Sequence, residues 1–129
     1  MNYRSKFELN NKVAVVTGGI GILGKRFCAG LAEFGAKVAV VDLDGDLSSA
    51  YADELEELYG VRCLGIGCDV SNTSSVKNMT SEVEKILGPI DILHNNAASK
   101  GSDLAKFFAP LEEYSIDTWN EIMAVNLDG

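Results

Sequence analysis

The chain is short of cysteine, proline and tryptophan, with three, two and one respectively. Cys28, Cys63 and Cys68 form no CxxC pair and leave an odd thiol, so a disulfide framework is not indicated. Reduced thiols point to a cytoplasmic protein. Residue types alone leave open a metal site from Cys63, Cys68 and the single histidine, His94. Buried cysteines in strands need no ligand role, and no metal is expected. No apolar run reaches about 18 residues, which argues against a membrane span. The start, Met1 to Lys6, is polar and lacks the apolar core of a signal peptide. Nor is there a lysine or arginine cluster. With a net charge of −8, this argues against a nucleic-acid surface. Repeats, low-complexity tracts and linkers are all missing, and 129 residues suffice for one domain.

What is present is a regular alternation of strand and helix patterns. The chain is 47% hydrophobic and can bury a core. Strands are expected over 12–17, 37–42, 61–66 and 90–94, and helices over about 21–34, 46–59, 74–87 and 116–128. The first helix should bury Leu23, Phe27, Leu31 and Phe34. The second should bury Leu47, Ala50, Tyr51, Leu55 and Leu58, and the third Val76, Met79, Val83, Ile86 and Leu87. In the last, Trp119, Ile122, Met123 and Asn126 lie on adjoining faces. Gly35 and Gly60 sit where helix-ending glycines belong. Ser71 to Ser74 and Ser115 offer N-cap oxygens. Residues 98–113 read as a long irregular stretch, and Ser99–Glu113, at the carboxyl end of the fourth strand where doubly wound folds bind ligands, reads as part of a substrate-side loop, with a plain connector as the alternative. Alternating strands and helices imply parallel pairing through right-handed crossovers. The expected fold is α/β, the first half of a doubly wound, Rossmann-type parallel sheet with strand order 3-2-1-4. Val13–Val16 and Val38–Val41 are apolar throughout, as strands covered on both faces should be.

The most informative segment is Val13-Ala14-Val15-Val16-Thr17 running into Gly18-Gly19-Ile20-Gly21-Ile22-Leu23-Gly24. Gly19, Gly21 and Gly24 give the spacing GxGxxG between a buried strand and an amphipathic helix. In that setting the first glycine permits a tight turn. The second clears the backbone for a pyrophosphate, and the third lets helix and strand pack closely. The helix N-terminus then offers free N–H groups and its positive dipole end to the phosphates. Asp42 ends the second strand roughly 20 residues past the turn, where a carboxylate accepts hydrogen bonds from the adenosine ribose hydroxyls. It would repel a 2′-phosphate, and no Arg or Lys follows closely, which favours NAD over NADP.

The glycine turn, Asp42, Asp69-Val70, Asn95-Asn96-Ala97 and Val125-Asn126-Leu127 together resemble the short-chain dehydrogenase/reductase family, from Phe7 to Gly129. The resemblance implies that Asp69 reaches the adenine amino group and that Val70 packs beside the ring. It implies that Asn96, Ala97 and Ala98 follow the fourth strand and line the cofactor. The candidate cofactor set is therefore Gly18, Gly19, Ile20, Gly21, Ile22, Gly24, Asp42, Asp69, Val70, Asn96, Ala97 and Ala98. Asn126 matches the asparagine of the family's catalytic tetrad, which holds a water in the proton relay to the active-site lysine.

Two departures stand out. The single-domain branch carries TGxxxGxG, whereas this chain has TGxxGxxG, with Ile22 at the middle glycine. That spacing, Ala97-Ala98 and His94 lean toward the extended branch, which acts largely on nucleotide sugars as epimerases and dehydratases. Asp69-Val70, Asn95-Asn96 and Trp119 lean toward the single-domain branch. The family's catalytic Ser and Tyr-x-x-x-Lys would lie beyond Asn126, and Tyr51, Tyr59 and Tyr114 have no Lys four residues later. The 129 residues are therefore expected to be one dinucleotide-binding domain, the N-terminal portion of a longer enzyme and inactive alone. The parent would move a hydride between nicotinamide and a small alcohol or carbonyl substrate, as a homo-oligomer without nucleic-acid or membrane partners. The alternatives are an extended-branch enzyme and a non-enzymatic NAD-binding regulatory module.

Overall fold

A computed structural model of the chain describes residues 2–129; Met1 of the polar start lies outside it. The strands are β1 (Val13–Thr17), β2 (Lys37–Asp42), β3 (Cys63–Gly67) and β4 (Ile92–His94). The helices are α1 (Ile22–Glu33), α2 (Gly45–Tyr59), α3 (Thr73–Ile86), the one-turn α4 (Leu104–Phe107) and α5 (Ile116–Asn126). Short 3₁₀ turns cover Arg4–Lys6 and Leu111–Glu113. The four strands form one parallel sheet of order β3-β2-β1-β4, with Val15 opposite Ala39 and Leu93. The third and fourth strands begin two residues later than expected, at Cys63 and Ile92. Residues 98–113 are not wholly irregular, since α4 and a 3₁₀ turn lie within them.

Alternation along β1 and β2 divides the core into two layers. Ala14, Val16, Val38 and Val40 face α1 and α2 and pack with Cys28, Ala32, Ala52 and Leu55. Val13, Val15, Ala39 and Val41 face α3 and pack with Met79, Val83 and Leu87. Each such fully buried Val or Leu contributes roughly 1.5–3 kcal/mol through removal from water. α3 buries the face its periodicity indicates.

The first two helices are rotated from the expected faces. α1 presents Gly24, Cys28 and Ala32 to the sheet, while Leu23, Phe27 and Phe34 remain exposed. α2 presents Ser48, Ala52 and Leu55, leaving Leu47, Ala50 and Leu58 in solvent. The reason is distance. Gly65 of β3 lies so close to the Ser48–Ser49 backbone that a Cβ there would collide with it. Helices held that near a sheet must present small residues, and bulky neighbours are displaced to the flanks.

Helix ends follow local chemistry. Asp44, Asn72, Asp103 and Ser115 each accept a backbone N–H of the helix they cap. Gly60 closes α2 in the left-handed conformation, φ +66°. α1 differs: its N-cap is Gly21, and no side chain caps it.

Candidate functional site

The carboxyl ends of β1, β2 and β4 open into a cleft of about 720 Å³ above the N-terminus of α1. In a parallel sheet all crossover turns of one kind fall at this edge, and neighbouring loops separate at the point where strand order reverses. Here that point lies between β1 and β4, because the chain winds from β1 outward to β3 and then returns to the other side.

The glycine turn builds the cleft floor, with a separate job for each glycine. Gly18, not Gly19, makes the left-handed turn at φ +64°. Gly19 donates its N–H to Val41 O at 2.9 Å and lies against β2, where a Cβ would fall 2.8 Å from Val40 Cγ1. Gly24 sits under the turn, where any Cβ would strike the Gly18 carbonyl. Gly21 is the least confined of the turn glycines: an added Cβ would meet only Gly18 O, closely, at 3.2 Å. The first turn of α1 therefore directs uncapped N–H groups and its positive end toward the cleft.

Asp42 stands at one side. Its carboxylate accepts Leu43 N at 2.8 Å and Ile20 N at 3.3 Å, which ties the end of β2 to the glycine turn. Asp69 lies beyond it and accepts both the Ser71 amide and the Ser71 hydroxyl, at 2.9 and 2.6 Å. These bonds hold the Asp69 carboxyl below the ordinary aspartate range, so it is anionic at neutral pH. Val70 lines the same side.

The opposite wall follows β4. Asn96 donates Nδ2 to the carbonyls of Thr17 and Gly18, at 3.0 and 3.1 Å. The buried Thr17 hydroxyl accepts the amides of Asn96 and Ala97, both at 3.1 Å. These bonds stitch the ends of β1 and β4 together and place Ala97 and Ala98 along the cleft. Thr17 was part of the motif but carried no expected role; its signal was a hydroxyl at the end of an otherwise apolar strand.

Asn126, at the end of α5, does not itself line the cleft. Its amide accepts Ser99 N at 2.7 Å and donates to Ser99 O at 2.9 Å, pinning a segment that does. One further lone pair and one further N–H remain on that amide. The cleft thus gathers Gly18, Ile20, Gly21, Ile22, Gly24, Asp42, Asp69, Val70, Asn96, Ala97 and Ala98, while Gly19 and Asn126 support it from behind. Leu43 also lines it and was not singled out by sequence; Cys68, Val125 and, from the stretch after the fourth strand, Ser99 and Lys100 line it too, with no cofactor role expected of them.

Cys28, Cys63 and His94 take other places. Cys63 lies on edge strand β3 and His94 on edge strand β4, separated by the width of the sheet. Among the described residues, no group of three or more His, Cys, Asp or Glu is arranged to hold a metal. Burial pushes the Cys28 thiol up to about 12 and that of Cys63 to about 11, so both are protonated at neutral pH. The His94 ring packs against Phe27 at 4.3 Å between centroids.

The family model for short chain dehydrogenase matches residues 12–129. The chain belongs to the short-chain dehydrogenase family. Among its curated short-chain dehydrogenase relatives, the D-threitol dehydrogenase of Mycolicibacterium smegmatis is 37% identical over 95% of this chain and 45% of its own length. The 3-oxoacyl-[acyl-carrier-protein] reductase FabG of Aquifex aeolicus is 31% identical over 96% of this chain and 48% of its own. A solved structure of NAD+-bound xylitol dehydrogenase superposes with a TM-score of 0.81 at 31% identity, over 95% of this chain and 44% of that one. The chain spans just under half the length of these relatives. Among the described residues, no helix is long and apolar enough to cross a membrane.

Proposed function

We propose that the cleft binds NAD(H) and serves a parent enzyme that interconverts a hydroxyl and a carbonyl on a small molecule. The observation that carries this reading is the uncapped N-terminus of α1 facing the cleft beside Gly21, where a missing Cβ leaves room for a pyrophosphate. The residues present fit the group on chemistry as well as space. The N–H donors of the α1 turn suit an anion, and the Asp42 carboxylate suits ribose hydroxyls. When bound, the nicotinamide supplies hydride acceptance or donation.

The chain's own residues position and enclose. The α1 turn holds the phosphates. Asp42 selects the ribose over a 2′-phosphorylated one by like-charge repulsion. Asp69 and Val70 take the adenine side, and Asn96 and Ala97 keep the β1 and β4 ends in register. Asn126 fixes Ser99, and its remaining amide valences are available for the relay water that the resemblance implies. Proton transfer itself falls to the family's Ser and Tyr-x-x-x-Lys, which have no counterpart in these 129 residues. We assign turnover to the whole short-chain enzyme, in the cytoplasm and as a homo-oligomer. The dehydrogenase and reductase names of the relatives favour this reading over a nucleotide-sugar epimerase or dehydratase.

The test is hydride transfer by the full-length parent, followed by NADH absorbance with a panel of polyols and ketoses. NAD-linked turnover that disappears in Gly21→Val is expected. A parent that binds NADH yet moves no hydride on any substrate would favour the regulatory module instead.

A further inference from the structure

The charges lining the cleft are unevenly placed. Asp42 and Asp69 stand at the ends of β2 and β3, and Lys100 is the one cation among the lining residues. With strand order β3-β2-β1-β4, Lys100 follows the strand on the far side of the α1 turn. Strands lie about 4.8 Å apart, so β4 is roughly 10 Å from β2 and roughly 14 Å from β3. A dinucleotide with its adenosine at Asp42 and its phosphates at α1 directs its reactive end, and hence the substrate, toward Lys100.

The backbone that carries Lys100 is held on both sides. Ser99 is pinned through its N–H and carbonyl by Asn126. The Ser102 amide donates to Glu121 at 2.7 Å, and its hydroxyl to the same carboxylate at 3.3 Å. Both clamps come from α5, which is anchored by the buried Thr118 and Ile122. Gly101 turns between them at φ +76°, its N–H bonded to Ser99 Oγ at 2.9 Å. Among the described residues, the Lys100 ammonium has no carboxylate within ion-pair distance. It is an exposed cation with no ion-pair partner among the described residues, on a segment whose backbone is held, at a cleft in a chain whose net charge is −8. An anionic substrate approaching that field needs a local positive charge.

We propose that Lys100 is a specificity residue that receives an anionic group, a carboxylate or phosphate, carried by the substrate. This rests on the cofactor reading above. The alternative recipient is the cofactor's own pyrophosphate, but the N–H groups of α1 already serve that anion on the other side of the turn.

The test is a titration of the ¹⁵N-labelled chain, saturated with NAD+, with inorganic phosphate, read at the amides of Ser99 to Ser102. Saturable shifts are expected in the native chain. Lys100→Gln should weaken phosphate binding about tenfold, the range of a lost charge-assisted hydrogen bond. Lys100→Arg should restore it, and NAD+ affinity should be the same in all three. No phosphate response at these amides, or one that survives Lys100→Gln, overturns the proposal. So does a Lys100→Gln chain that binds NAD+ less tightly, since the lysine would then serve the cofactor. A native chain that takes up no NAD+ defeats the cofactor reading separately, and the phosphate response of the three chains without NAD+ still decides the role of Lys100.

Discussion

At the residue scale the account turns on Asp42. It closes β2 within reach of the glycine turn, and its carboxylate is already aimed at Ile20 N. A ribose with free hydroxyls can donate to it; a 2′-phosphate meets like charge. Calorimetric titration should give tighter binding for NADH than NADPH. Asp42→Ala should narrow that preference about tenfold or more, in line with removal of a charged partner. Equal affinities in the native chain would contradict the assignment. The place of Asp42 beside the cleft was legible in sequence, because an acidic residue at a strand end, at a known remove from a glycine turn, is fixed by position alone. Lys100 was legible only as a member of the Ser99–Glu113 stretch after the fourth strand, not as an individual residue. Its place in the cleft depends on two clamps from α5, and nothing in the local sequence marks Ser99 and Ser102 as pinned.

At the element scale, the turn from β1 into α1 shows what spacing can and cannot tell. The motif located the turn, but the division of labour among its glycines came from packing. Gly19 and Gly24 are confined by protein atoms, Val40 and the Gly18 carbonyl, whereas a Cβ at Gly21 would meet only Gly18 O, at 3.2 Å, beside the cleft. Gly24→Val should therefore lower the melting temperature by many degrees or prevent folding. A Gly24→Val chain that melts like the native one would show that the helix does not sit on the turn as described. The helical faces depart from their periodicity for a related reason. Periodicity weights large apolar residues and so points to Leu23, Phe27 and Phe34 as the inner face of α1. The inner face is instead Gly24, Cys28 and Ala32, because the helix lies close to the sheet.

The joint before β4 is held electrostatically. Asp91 accepts Lys12 Nζ and Val13 N, both at 2.9 Å, and these bonds hold its carboxyl below the ordinary aspartate range. A carboxyl with a depressed folded pKa contributes stability that is present above the unfolded value, about 3.9, and is lost as pH falls through the folded value. Asp91→Asn should lower the melting temperature at neutral pH, and the difference from the native chain should shrink on acidification below about pH 4. A difference independent of pH would show that the ion pair and amide bond do not act through charge.

At the scale of the whole molecule, strand order and layering were legible, because alternation and right-handed crossovers leave few topologies. The open side was legible only in part. Among the described residues β4 pairs with β1 alone, Leu93 is exposed, and Phe7, Leu9, Phe27, Leu31 and Phe34 line an apolar groove with Ile92 and His94. An apolar edge of this kind is a template for pairing. Light scattering of the 129-residue chain should show association that grows with concentration; a clean monomer throughout would contradict this.

The central claim is that the cleft above α1 takes a dinucleotide by its phosphates. The most direct test is calorimetric titration of NADH into the native chain and into Gly21→Val, with melting temperatures measured for both. The account predicts one saturable site in the native chain, no measurable binding in the variant, and nearly equal melting temperatures. A Gly21→Val chain that is equally stable and binds NADH as the native chain does would contradict it.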